Sequence, residues 1–72
     1  MSIDTAEKAR IIFSAAAEIA NERTDFGLRE VFREWERLTR SGETPWSHVG
    51  GHATLILALD YTNGHRIQQC RH

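Results

Sequence analysis

The sequence has few of the features that usually hold a small domain together. Its single cysteine, Cys70, excludes a disulfide within the chain, and a lone cysteine without a signal sequence is typical of a free thiol in a reducing compartment. A chain of 72 residues forms one domain, and cores of this size seldom supply more than about 3 to 5 kcal/mol of stability by themselves. We therefore expect metal binding or oligomerisation to contribute.

The chain also lacks the features of secreted, membrane-spanning and nucleic-acid-binding proteins. Its N-terminus, MSIDTAEKAR, has no basic segment followed by an apolar one, and the longest apolar run, residues 53–59, is too short to span a bilayer. The net charge is −1, so no general attraction to nucleic acid or acidic membranes is expected. The sequence predicts a cytoplasmic protein with residues 1–72 as a single helical interaction domain.

Apolar residues recur at spacings of three and four in three segments, a pattern typical of amphipathic helices. The segments predict helices over residues 4–22, 25–41 and 45–63, and hence a small all-α, three-helix domain. The second segment shows the clearest amphipathic pattern, and Asp25 suits its N-cap. The residues expected to form the core are Ile12, Phe13, Ala16, Ile19, Leu28, Val31, Phe32, Trp35, Leu38, Val49, Ala53, Ile56 and Leu57.

The third segment differs from the others because it carries apolar residues on two opposite sides. One side holds its predicted core residues, and the other holds His48, His52, Leu55 and Leu59. A helix that is apolar all round is normally buried all round. So short a chain has too little other protein to cover both sides, and we expect the second side to form a homodimer interface.

The sequence contains conflicting signals for the residue at which the third helix begins. Pro45 suits a first helical position, and Asn63-Gly64 is a common helix stop. Gly50 and Gly51 weaken the helical interpretation, because each glycine inside a helix costs roughly 1 kcal/mol relative to alanine. The two glycines either mark a close contact between helices or precede the start of the helix, with residues 45–49 as a separate turn.

Asn63-Gly64 is also a strong signal for a two-residue β-hairpin turn, which leaves a second architecture open. In that alternative, two helices precede a C-terminal hairpin that pairs residues 54–62 with residues 65–70. The pairing would set apolar residues opposite Arg66 and Gln68, which is a poor match for a buried face. The sequence therefore favours the third helix, and the structure of the tail after Gly64 stays open.

Four arginines, Arg29, Arg33, Arg37 and Arg40, fall within a narrow arc on the back of the second helix. Such a stripe suits an acidic protein partner, since guanidinium groups bind carboxylates with two parallel hydrogen bonds. Glutamates on either side of the stripe allow local ion pairs and repel phosphate. The stripe is therefore either a partner-binding surface or a solvated charged face, and nucleic acid is a poor candidate.

His48 and His52 stand four residues apart, so on a helix both imidazoles project to one side and could share a zinc ion. Val49 occupies the position where the metalloprotease pattern requires a glutamate, so no general base accompanies the pair. A structural zinc would need two further ligands from Glu43, His65, Cys70 or His72. We assign no metal or cofactor, and a zinc-binding structural module remains an alternative.

No set of residues indicates catalysis or the reading of DNA bases. Ser47 and His48 are adjacent in sequence, which is not the spatial adjacency that a nucleophile and its base need, and residues 44–64 contain no lysine or arginine to contact bases. We expect a non-catalytic protein–protein interaction module: a small homodimeric regulator or inhibitor that binds a surface of a larger protein. Accessory proteins of phages or mobile elements have this character, and a nucleic-acid-binding regulator is the last alternative.

Overall fold

Three α-helices follow one another in the computed structural model, which describes the backbone of residues 5–69 and the side chains of residues 5–64. Helix α1 spans Thr5–Glu22, α2 spans Phe26–Arg40 and α3 spans Val49–Gln69, with a 3₁₀ turn at Pro45–Ser47 before α3. The described residues contain no strand, so the all-α prediction is confirmed and the hairpin alternative is wrong. Within the same residues, no helix has the length and apolar character needed to cross a membrane.

Helix α1 is the central element, because it packs against both other helices while α2 and α3 touch each other much less. Its inward face consists mainly of alanines, and its buried residues are Ala9, Phe13, Ala16, Ala17, Ile19 and Ala20. Small side chains allow neighbouring helix axes to approach closely. Phe32 of α2 and Ala58 of α3 complete the core, and neither exposes any surface to solvent.

The predicted core is correct for α1 and for much of α2, and wrong for α3. Phe13, Ala16, Ile19 and Phe32 are buried as predicted, and Ile12, Leu28, Trp35 and Leu38 are half-buried. By contrast, Val31 of α2 and four predicted core residues of α3, Val49, Ala53, Ile56 and Leu57, are exposed. Instead, α3 turns Gly51 and Ala58 inward and packs Leu55 and Tyr61 on the core. Ala58 packs in the alanine-rich core, whereas Gly51 is covered by the 3₁₀ turn.

The start of α3 agrees only in part with the alternative of a separate turn, because the helix begins before the two glycines and not after them, and its end does not follow the predicted stop. Pro45–Ser47 forms a separate turn, and α3 begins at Val49, just before the two glycines. The helix continues through Asn63-Gly64 to Gln69, so the prediction that it ends at residue 63 is wrong. Among the described glycines only Gly42 has a positive φ, so Gly64 does not adopt the left-handed conformation that a glycine stop requires.

Gly51 allows the 3₁₀ turn to lie directly against the first turn of α3. A Cβ atom added to Gly51 would lie 1.5 Å from the carbonyl oxygen of Pro45 and 2.3 Å from its carbonyl carbon. A Cβ added to Gly50 would meet nothing within 4 Å. One of the two glycines therefore marks a close backbone contact, and the other has no steric role.

Substituting the two glycines separately tests this contact. Gly51→Ala forces the turn away from α3, and we expect a loss of about 1 to 3 kcal/mol in unfolding free energy, as in other overpacked sites. Gly50→Ala is the matched control, and we expect it to be neutral or to stabilise by up to about 1 kcal/mol, because alanine favours helix. Urea unfolding followed by circular dichroism measures both, and equal effects would contradict the contact.

Helices α1 and α2 end in the same hydrogen-bonding motif but with different residues at its left-handed position. After α1, the Thr24 N–H donates to the Asn21 carbonyl at 3.2 Å and the Asp25 N–H donates to the Ala20 carbonyl at 2.7 Å, the pair of bonds that defines a Schellman motif. Thr24 has φ 61°, and Gly42 holds the equivalent place after α2 with φ 92°. A β-branched residue is strained in this conformation, whereas glycine is not.

The two helix ends predict opposite effects of reciprocal substitutions. Thr24→Gly removes the strain of a left-handed β-branched residue, and we expect the free energy of unfolding to rise by about 1 kcal/mol. Gly42→Thr introduces the same strain, and we expect a loss of similar size. Thermal unfolding of both variants beside the parent chain provides the measurement, and a Thr24→Gly variant that melts below the parent would show that Thr24 is not strained.

Candidate interaction surface

The side of α3 that faces away from α1 carries four of the seven exposed large apolar side chains among the described residues. We call it the outer face of α3, and it comprises Val49, His52, Ala53, Ile56, Leu57, Leu59 and Asp60, all of which are exposed. Its four large aliphatic side chains remain 89% (Val49), 46% (Ile56), 43% (Leu57) and 38% (Leu59) accessible. An exposed helix face is normally polar. The apolar composition of this surface is instead typical of a helix face that packs against other protein.

The outer face also contains little charge. From Val49 to Gly64, Asp60 is the only residue of the Asp, Glu, Lys and Arg types. Ile56 lies at the centre of the face, with His52 one turn before it and Asp60 one turn after it. The polar groups therefore flank the apolar centre, one on each side along the helix axis.

The four residues predicted to form the homodimer interface lie in different environments in the structure. Leu55 is half-buried and packs against the core, while His52 and Leu59 are exposed on the outer face. His48 is exposed in extended backbone before α3, with φ −100° and ψ 153°, and its carbonyl accepts a hydrogen bond from the His52 N–H at 2.8 Å. These four residues do not form one continuous face, and self-association itself remains a prediction.

The two histidines do not gather further metal ligands among the described residues. That part of the chain contains no group of three or more His, Cys, Asp or Glu side chains arranged to hold a metal ion. Of the other ligands considered, Glu43 belongs to no such group, and the side chains of His65, Cys70 and His72 lie outside the described residues. The zinc alternative therefore remains a prediction that the described side chains do not support.

The arginine stripe of α2 is largely occupied by ion pairs on the same helix. The pairs, with their shortest N–O distances, are Arg29 with Glu30 at 2.9 Å, Arg37 with Glu34 at 2.6 Å and Arg40 with Glu36 at 3.3 Å. Arg37 donates two hydrogen bonds to Glu34, which hold the pKa of that carboxyl below its usual range. Within the described residues only Arg33 of the stripe makes no such pair. The geometry favours a solvated charged face, and the binding of an acidic partner here stays a prediction.

A nearly buried carboxylate joins α1 to α2 at one end of the stripe. Glu36 is only 7% exposed, and its carboxylate lies 3.3 Å from the Arg40 guanidinium and 3.8 Å from that of Arg10 on α1. Arg10 also binds Glu7. A surface depression of 370 Å³ adjoins these groups, but both guanidinium groups already face carboxylates, so the depression does not present a free cationic site for an anion.

The C-terminal half of α3 is fixed by Tyr61. Its hydroxyl donates a hydrogen bond to the carboxylate of Asp25, a residue at the N-cap position of α2 that makes no side-chain cap bond of its own. The Tyr61 ring lies 5.8 Å from that of Phe32 at an angle of 58°, and the Arg23 guanidinium lies 5.3 Å from the Tyr61 centroid. Burial, followed by the hydrogen bond to Asp25, raises the pKa of Tyr61.

The sequence predicted Asp25 only as a helix N-cap and Tyr61 only as a residue of the third helix. Their contact joins residues 36 positions apart, a separation that helical periodicity does not address. It nevertheless decides which side of α3 faces outward, since Tyr61 can reach Asp25 only from the inner side of the helix.

No family model matches this chain. No curated protein matches it, and no solved structure does so. The function must therefore be inferred from the chemistry of its own surface.

Replacing Tyr61 by Phe removes the hydrogen bond to Asp25 and keeps the ring. We expect a loss of about 1 kcal/mol in unfolding free energy near neutral pH. Because the pKa of Tyr61 is raised in the folded state, its contribution is complete below the unfolded value of about 10 and is lost as pH rises through the folded value. The difference between parent and Tyr61→Phe should shrink in alkali, which urea unfolding at pH 7 and above pH 10 measures. A constant difference would contradict the assignment.

Proposed function

We propose that this chain is a non-catalytic protein–protein interaction module that binds its partner through the outer face of α3. One observation carries the proposal: four large aliphatic side chains share an exposed side of α3, and Asp60 is the only Asp, Glu, Lys or Arg residue between Val49 and Gly64. Covering a large aliphatic side chain completely contributes about 1.5 to 3 kcal/mol. Binding a partner at this face therefore supplies free energy that the isolated chain does not gain.

The arrangement of polar groups supports binding rather than chemistry. The Ser47 hydroxyl donates to the Thr44 carbonyl at 2.7 Å and is thus engaged with the backbone instead of with an imidazole. His52 and Asp60 are two turns apart on α3, about 12 Å along the axis, which is too far for one to orient the other. A general base and its orienting carboxylate need direct contact.

The proposed module acts by occupying a partner's surface, as small regulators and inhibitors do. A rigid helix with an apolar centre is a common recognition element for grooves on other proteins. The exposed charges of α2 lie on a different helix and give the molecule a polar side, on which Arg33 is available to an acidic group of the partner.

Photo-crosslinking at matched positions tests the proposed surface. Ile56 on the outer face and Ile11 on α1 are 46% and 45% exposed, but Ile11 adjoins Arg10, Ser14 and Glu18 instead of other large apolar residues. A benzophenone amino acid placed at residue 56 and illuminated in the source cells should give a discrete protein adduct, because a covered face brings the partner within reach. The same group at residue 11 is the control.

The adduct at residue 56 should disappear when Val49 and Leu57 are both changed to Glu, since the two charges would repel an apolar partner. Circular dichroism should show that this variant remains helical, because both positions are exposed. Equal adducts at residues 56 and 11, or no adduct at either, would contradict binding through the outer face.

A further inference from the structure

We propose that the partner on the outer face of α3 is a second copy of the chain, packed antiparallel across a two-fold axis at Ile56. This inference rests on the proposed function, because it names the partner of the same surface. It follows from the order of the groups along the face, in which an imidazole and a carboxylate are placed symmetrically about an apolar centre.

The two polar groups of the face are complementary only in one orientation. His52 precedes Ile56 by four residues and Asp60 follows it by four. When two copies pack antiparallel with Ile56 on the axis, His52 lies opposite the partner's Asp60, and the relation repeats on the other side. Parallel packing would instead place His52 opposite the partner's His52 and carboxylate opposite carboxylate.

An imidazole opposite a carboxylate is favourable in both protonation states. The neutral ring donates a hydrogen bond through its N–H, and the protonated ring forms an ion pair. Both groups are exposed in the single chain, so the contact requires little rearrangement. The net charge of −1 leaves almost no overall repulsion between two copies.

The apolar residues fit the same register. With Ile56 on the axis, Ile56 meets its own copy, and the small Ala53 lies opposite the partner's Leu59. Alternation of large and small residues across a helix pair lets the ridges of one helix fill the grooves of the other. Val49 lies two turns before Ile56, and the register places it opposite the partner's Asn63, at the end of the apolar contact.

Sedimentation of the whole chain over a range of concentrations tests the pairing. The parent should reach twice its mass of 8.2 kDa as concentration rises. Ile56→Lys should raise the dimer dissociation constant by at least about 100-fold, because two ammonium groups would meet at the axis. Ile11→Lys is the matched control and should leave the dissociation constant unchanged, and circular dichroism should show both variants folded.

A charge exchange tests the antiparallel register. His52→Glu alone and Asp60→Lys alone should each weaken the dimer by about tenfold, and the double variant should return to within about threefold of the parent. The two positions are about 12 Å apart within one helix, so recovery in the double variant reports a contact between chains.

Three results would overturn the inference: a monomeric parent at the highest concentration, a dimer that survives Ile56→Lys, or a double variant that fails to recover. The outcome that would reject the proposed function differs from those that would reject self-pairing. A monomeric chain whose residue 56 crosslinks in cells to a different protein would exclude self-pairing and retain the interaction module, whereas the absence of any specific adduct would reject both.

Discussion

The alanine face of α1 is the constraint on which the rest of the structure depends. Because Ala9, Ala16 and Ala20 project little, a neighbouring helix can lie close to α1. Helix α3 places its own small residue Ala58 in this core, where it exposes no surface. With Ala58 facing inward, Leu55 also packs against the core, and the remaining large aliphatic residues of α3 point outward.

Two further contacts fix the orientation of α3 about its axis. One lies near the start of the helix, and the other lies near residue 64, the last residue whose side chain the structure describes. At the start, the Pro45 carbonyl occupies the space that a side chain at residue 51 would fill, so Gly51 must face the turn. Near the end, Tyr61 donates its hydrogen bond to Asp25 at the corner between α1 and α2. A helix fixed at two separated points cannot rotate about its axis, and its outer face is thus presented in one orientation.

Periodicity was sufficient to predict the number of helices, their order and most of the core of α1 and α2. It failed at α3, because apolar residues on both sides leave the rotation of a helix undetermined when hydrophobicity is the only criterion. In the structure Ala58 packs in the core, Gly51 faces the 3₁₀ turn and Tyr61 binds Asp25, none of which periodicity addresses. The apparent stop at Asn63-Gly64 was also misleading, since a glycine ends a helix only where it takes the left-handed conformation.

The sequence predicted an apolar face on the third helix in need of a partner, but it did not predict which residues form that face. Surplus apolar residues on the third helix indicated a face in need of a partner, yet the structure exposes Val49 and Ile56 and turns Leu55 toward the core. The core itself is built from small residues, and of the large side chains described only Phe13 and Phe32 are fully buried. A core of this kind supplies modest stability. A partner that binds only the folded chain would add to it by mass action, so the rotation of α3 that leaves large aliphatic side chains out of the core also leaves apolar surface that the proposed partner would cover.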